Sequence, residues 1–181
     1  MFFFRAGDCL ILTLETLFNS RCEYYFRTWE SKPASGFKLS RLPKRKGGIC
    51  LLLDKVASLL DEAGFKYVKQ KDAIVMRWET DYFSELTVVV LTSPDESWLF
   101  IVAWLTNVSD IPEESRLPLF YALLKENFRQ NGIKYGVDND DVVFVSVETA
   151  DTDLTSEEIK HYVLLLVNAC DKFMEITKGK T

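Results

Sequence analysis

Trp98-Leu-Phe-Ile-Val-Ala-Trp-Leu105 is the stretch that decides the fold. Eight uncharged residues without Gly or Pro read as a strand. Trp98, Phe100, Val102 and Trp104 then point one way, and Leu99, Ile101, Ala103 and Leu105 the other. Both sets are apolar, whereas a sheet with one wet face alternates apolar and polar residues. Both faces of this strand therefore call for cover. Upstream, Thr92-Ser-Pro-Asp-Glu is a short turn, and before it Leu86, Val88 and Val90 alternate with Thr87, Val89 and Leu91. A second short link, Thr80-Asp-Tyr-Phe, follows Ile74, Met76 and Trp78, which alternate with Val75, Arg77 and Glu79. Residues 65–69 are a shorter candidate strand. Links this short predict an antiparallel meander.

Helical periods bracket these strands. Ile49, Leu52, Leu53, Val56, Leu59, Leu60 and Ala63 recur at helical spacing, and Gly64 stands where a helix commonly stops. A second helix is predicted over residues 115–131, with Pro118 in its first turn, Glu113 and Glu114 at its positive end, and Gly132 closing it. Two further strands, residues 133–137 and 142–148, flank the polar turn Asp138-Asn-Asp-Asp141. Thr155-Ser-Glu-Glu158 is a capping box, with Leu154 and Ile159 placed to form its hydrophobic staple. Ile159, Tyr162, Val163, Leu166, Ala169, Cys170 and Phe173 then give a long apolar stripe. The predicted class is α+β, an antiparallel sheet of about five strands with three helices in the order α-β-β-β-α-β-β-α.

The chain has 181 residues, 48% of them hydrophobic and 13% aromatic, which excludes a disordered chain and allows a core without disulfides or metal. Charge divides it. Residues 1–49 hold nine Lys/Arg and four Asp/Glu; the remainder holds thirteen and twenty-three. Residues 49–181 are predicted to form one domain, preceded by an extension over residues 1–48. Leu10, Leu14 and Phe18 can share a helix face in that extension, with Leu17 beside them. Lys38, Arg41, Lys44, Arg45 and Lys46 form a basic run ending at Gly47-Gly48. A docked helix, a mobile tail and an upstream start codon all fit the extension. An acidic body repels phosphate backbones and argues against nucleic acid as a partner. The alternative is a nucleic-acid-associated regulator that uses residues 38–46. No run of eighteen apolar residues predicts a membrane span, and Asp8 and Glu15 interrupt any secretory signal core. Cys9, Cys22, Cys50 and Cys170 have neither zinc-site nor disulfide-framework spacing, which predicts a reducing, cytoplasmic setting.

A reaction centre is not legible. His161 is the one histidine, and it falls outside the apolar stripe of the last helix. Asp138-Asn-Asp-Asp141 lacks the Gly and the Glu of a calcium loop. Asp151, Asp153, Glu157 and Glu158 surround a helix start. There is no Gly-x-Gly-x-x-Gly and no Gly-x-x-x-x-Gly-Lys-Ser. The expectation is no catalytic residue, no metal and no cofactor. A small enzyme built on scattered carboxylates is the third alternative.

In order and patterning, residues 49–181 resemble the YbjN-like group of the type III secretion chaperone-like fold. The resemblance rests on the opening helix ending at Gly64-Phe65, on Ile74-Val-Met-Arg-Trp78, and on residues 86–91 and 98–105. It continues through Leu123-Leu-Lys-Glu-Asn127, Ile133-Lys-Tyr-Gly-Val-Asp138, residues 142–147 and Leu154-Thr-Ser-Glu-Glu158. It implies helices packed on an antiparallel sheet, no catalytic residues, and a protein client or a homodimer partner. The expected function is a cytoplasmic protein-binding module, a chaperone or a stress or sensory regulator. Client side chains would be buried against the sheet or flanking helices, with strand addition at a sheet edge as a further mode. Trp98, Phe100, Val102 and Trp104 are the expected contact residues.

Overall fold

The computed structural model describes residues 51–179. The expected extension over residues 1–48, its helix face and its basic run lie outside the described residues.

Helix α1, Leu51–Glu62, ends where expected: Gly64 adopts φ 78°, and the amide of Phe65 returns to the carbonyl of Leu60 at 2.9 Å. A left-handed residue costs glycine little, so the chain turns sharply here. Strands β1 (Val68–Lys69), β2 (Ile74–Trp78), β3 (Leu86–Thr92) and β4 (Leu99–Asn107) follow as an antiparallel meander. Helix α2 spans Glu113–Arg129, strands β5 and β6 span Lys134–Val137 and Val142–Thr149, and α3 spans Ser156–Thr177. The described residues form one six-stranded sheet in the order β1-β2-β3-β4-β6-β5, every pair antiparallel. The sixth strand is the short β1. Phe65 is withdrawn from it and packs edge-on against Trp78, ring centres 5.5 Å apart.

Two local expectations need correction. Helix α2 starts at Glu113, with Pro112 as its N-cap, so Pro118 lies in the second turn and not the first. Its ring nitrogen has no hydrogen to return to the carbonyl of Glu114 four residues back, and the helix tolerates one missing bond there. Trp98 lies just outside its strand. It ends the β3–β4 turn, with its carbonyl accepting from the amide of Ser93 at 2.9 Å.

The capping box of α3 forms as the sequence predicts. Thr155 Oγ1 accepts from the Glu158 amide at 3.3 Å, and the Thr155 amide donates to Glu158 Oε2 at 2.9 Å. Leu154 and Ile159 are both buried behind it.

Helices α1, α2 and α3 share one core with one face of the sheet. Leu53, Leu60, Leu119, Leu123, Ile159 and Leu166 meet Met76, Val88, Val90, Ile101, Val145 and Val147 in a single buried cluster. Asn127 fixes α2 to the free edge of β5. Its Nδ2 donates to the Tyr135 carbonyl at 3.0 Å, and its Oδ1 accepts from the Tyr135 amide at 2.7 Å. The Tyr135 hydroxyl donates in turn to the Ala169 carbonyl of α3 at 2.8 Å, so one strand residue ties two helices together. That arrangement bears on strand addition: the outward backbone groups at Tyr135 are already taken by Asn127.

Candidate protein-contact face

Side chains alternate across a strand, so the residues between the core positions define the opposite face of the sheet. The register gives that face a straight row across all six strands: Val68, Val75, Val89, Val102, Ser146 and Lys134. Beside it Leu91 pairs with Phe100 and Phe100 with Glu148; on its other side Trp104 pairs with Phe144 and Phe144 with Gly136. Val75, Val89, Leu91 and Val102 are buried, yet none belongs to the cluster beneath the helices. Among the described residues, no helix contributes to this second face.

Phe100, Val102 and Trp104 therefore share one face, with Trp98 at its rim. The exposures grade along it: Trp98 is 44% exposed, Phe100 and Trp104 are half-buried, and Val102 is buried. Trp98 and Phe100 form an aromatic pair with centres 6.5 Å apart and planes 24° from parallel. At the other end of β4, Trp104 Nε1 donates to Asp138 Oδ2 at 3.0 Å. Asp138 Oδ1 accepts from the amides of Asp140 and Val142, each at 3.0 Å. The polar β5–β6 turn thus fixes a tryptophan on the sheet.

Phe144 belongs to this face and was not singled out by the sequence reading. Its signal was available, since an aromatic stands between Val143 and Val145 on a strand whose other residues at that parity include Ser146 and Glu148. Gly136 explains its position. A Cβ built on Gly136 would stand 2.6 Å from Phe144 Cζ, so the ring lies across the glycine. Gly136→Ala is expected to displace that ring and cost about 1–3 kcal/mol. Combining it with Phe144→Ala should recover part of the loss. Urea unfolding of the two single variants and the pair reads the coupling.

The β3–β4 turn that carries Trp98 is built around Asp95. Its Oδ1 accepts from Ser93 Oγ at 2.5 Å and from Ser97 Oγ at 2.9 Å. The hydrogen bond from Ser93, and then those from Ser97, hold its carboxyl down at about 2, against an ordinary 3.8. A depressed carboxylate stabilises the folded turn above the ordinary value, and that contribution is lost as pH falls through the folded one. The turn is therefore expected to loosen between about pH 4 and 2. Ser93→Ala should move the transition toward pH 4, read by the carboxyl chemical shift of Asp95. Glu96 continues the turn at φ 60° and accepts from the Leu52 amide at 2.9 Å, joining it to the first turn of α1.

Among the described residues, the remaining candidates do not assemble a reaction centre. His161 is exposed on α3, with its ring 6.0 Å from that of Tyr162. The Cys170 thiol is fully buried, and burial, with the neighbouring Asp171 charge, pushes it well above its ordinary value. A thiol held protonated in this way is a poor nucleophile. Glu126 is buried on α2. Burial opposes its charge, but hydrogen bonds from Arg129 and Gln130 prevail and hold the carboxyl below the ordinary glutamate range. Among the described residues no group of three His, Cys, Asp or Glu is placed to hold a metal ion, and no helix is long and apolar enough to cross a membrane.

A chain of the HopA1–SchA chaperone–effector complex superposes with a TM-score of 0.51 at 14% identity, over 69% of this chain and 94% of that one. The fold is type III secretion chaperone-like. Two other likenesses are the Yersinia pestis type III secretion chaperone SycH, with a TM-score of 0.48 at 13% identity over 67% and 98% of the two chains, and YbjN, a putative transcription regulator from E. coli, at 0.44 and 15% over 69% and 87%. No protein-family description matches the chain, and no curated protein does. Among the described residues, α1, α2 and α3 cover one side of the sheet, and Phe100 and Trp104 of β4 stand on the other.

Proposed function

We propose that this chain is a non-catalytic, cytoplasmic protein-binding module. It holds an extended apolar segment of a client protein on the sheet face opposite α1, α2 and α3. The observation that carries the reading is the row of apolar and aromatic residues on that face, with Phe100, Val102 and Trp104 along β4 and Trp98 just before it. An aromatic pair at one end of β4 and a hydrogen-bonded tryptophan at the other supply rigid, pre-positioned contact area, which lowers the entropy cost of binding. The fold it shares with a chaperone–effector complex supports a protein as the ligand class. The acidic body would favour clients of basic character through faster encounter.

Binding is expected along the sheet face and not by strand addition at β5, where Asn127 occupies the outward groups of Tyr135. The test uses reduced insulin, whose B chain aggregates as an apolar, partly unfolded client. The full chain at equimolar ratio is expected to suppress the light scattering. The double variant Trp98→Ala/Phe100→Ala, with unchanged far-ultraviolet circular dichroism, should lose most of that protection. Protection equal to wild type in this variant, or none from the wild type, contradicts the reading.

A further inference from the structure

The β3–β4 turn holds one residue in a backbone state that its side chain does not favour. Glu96 has φ 60°. That left-handed region crowds the Cβ of an L-residue, and glycine or asparagine is its usual occupant. Such a residue persists only where its surroundings hold it, and strain of this kind collects where a function needs the geometry. Two hydrogen bonds hold Glu96. Its amide donates to the Ser93 carbonyl at 3.0 Å, and its Oε2 accepts from the Leu52 amide at 2.9 Å. The Leu52 amide is one of the first four of α1, which find no acceptor inside their own helix. A carboxylate there also meets the positive end of the helix dipole. Glu96 is thus a helix cap supplied from 44 residues along the chain.

The same turn carries Trp98. The Trp98 amide donates to Ser93 Oγ at 3.0 Å, and its carbonyl accepts from the Ser93 amide at 2.9 Å. Ser93 therefore bonds both Glu96 and Trp98. Leu52 and Leu53 belong to the core beneath the helices, while Trp98 stacks on Phe100 at the other face. The turn rounds the end of the sheet and joins its two sides. We propose that Glu96 is a positioning residue: by capping α1 it holds the left-handed turn that aims Trp98 at Phe100, and so couples the first turn of α1 to the client face. The task of that face rests on the function proposed above; the link from Glu96 to Trp98 stands without it.

Such coupling is reciprocal. A client that fixes Trp98 against the sheet also fixes the turn, and with it the bond to Leu52. Whatever unwinds the first turn of α1 releases Glu96 and weakens client binding by the same factor. Two sites on opposite sides of the sheet then bias one element with two states, capped and released. This gives the client face a control point at the start of α1, where no client need touch.

The test uses the full chain and two variants. Glu96→Gln keeps an oxygen acceptor at the same reach. Glu96→Gly removes the cap and relieves the left-handed strain together, so its effects on stability oppose each other and the melting temperature should move little. In the unliganded chain, Glu96→Gly is expected to speed amide exchange at Leu52 at least ~5-fold and to shift the Trp98 indole signal, with those of Trp78 and Trp104 in place. Glu96→Gln should behave as wild type in both. Saturation with reduced insulin B chain is expected to slow Leu52 exchange at least ~5-fold in the wild type, and Glu96→Gly should bind the B chain about 5–10-fold more weakly. Leu52 exchange and Trp98 signals that are the same in Glu96→Gly and wild type overturn the proposal. A B chain that moves the Trp98 signal but leaves Leu52 exchange unchanged also overturns it, and the client reading then stands. A B chain that fails to bind overturns the client reading instead, and the unliganded comparison still decides the coupling.

Discussion

Ile101→Asn is expected to unfold the domain. Ile101 lies on the helix side of the central strand, is 1% exposed and sits in the cluster that α1, α2 and α3 close. The substitution removes apolar contact and leaves an amide without partners in a dry site. The two penalties together come to about 4 kcal/mol or more. A domain with ~5–15 kcal/mol of total stability retains little margin after such a loss. Phe100→Asn, one residue earlier, removes a larger side chain from the other face. There Phe100 is only half-buried and lies outside the helix core, so the cost should be at most about half as large. Urea unfolding followed by far-ultraviolet circular dichroism measures both. Similar costs would contradict the division into a core face and a contact face.

The second large effect is expected at Asn127. Asn127→Leu keeps the volume but removes two hydrogen bonds to the backbone of Tyr135. Tyr135 is buried, so its amide and carbonyl lose partners that water replaces poorly. The cost is expected to be about 2–4 kcal/mol. The mechanism has a local signature. Amide exchange at Tyr135 should accelerate far more than exchange in β3, which has a hydrogen-bonded strand on each side. Uniform acceleration across the sheet would mean that the side chain acts only through global stability. The substitution also frees the β5 edge, so any gain of strand-mediated self-association in this variant would assign Asn127 an edge-blocking role.

The fold was legible where period and punctuation agreed. Gly64 ended α1, the Thr155–Glu158 box started α3, and the alternation in residues 86–91 and 98–105 gave two central strands with their correct faces. These signals are local, and each is enforced by backbone geometry. What the sequence left obscure depends on long-range contact. Phe65 reads as a strand residue until Trp78 is placed beside it. Pro118 reads as a first-turn proline because Glu113 and Glu114 carry no apolar period to mark the true start of α2. The contact face was half legible. The two-sided strand named Trp98, Phe100, Val102 and Trp104 as one set, but only the register joins Phe144 and Gly136 to them across β6 and β5. The exposed apolar residues of α2, Leu117, Tyr121, Leu124 and Phe128, were hidden for a simpler reason. Leu117, Leu119, Tyr121, Leu123, Leu124 and Phe128 surround the helix, so no single apolar face stands out.

The proposed client site is the sheet face opposite α1, α2 and α3. The tryptophan indoles report on it most directly. Trp78 packs against the helix core with its Nε1 buried, whereas Trp98 and Trp104 belong to the other face. The measurement is the indole ¹H–¹⁵N spectrum of the full chain titrated with reduced insulin B chain. The account predicts that the Trp98 and Trp104 signals move with the titration while that of Trp78 stays. Binding that shifts Trp78 and leaves Trp98 and Trp104 in place would contradict it.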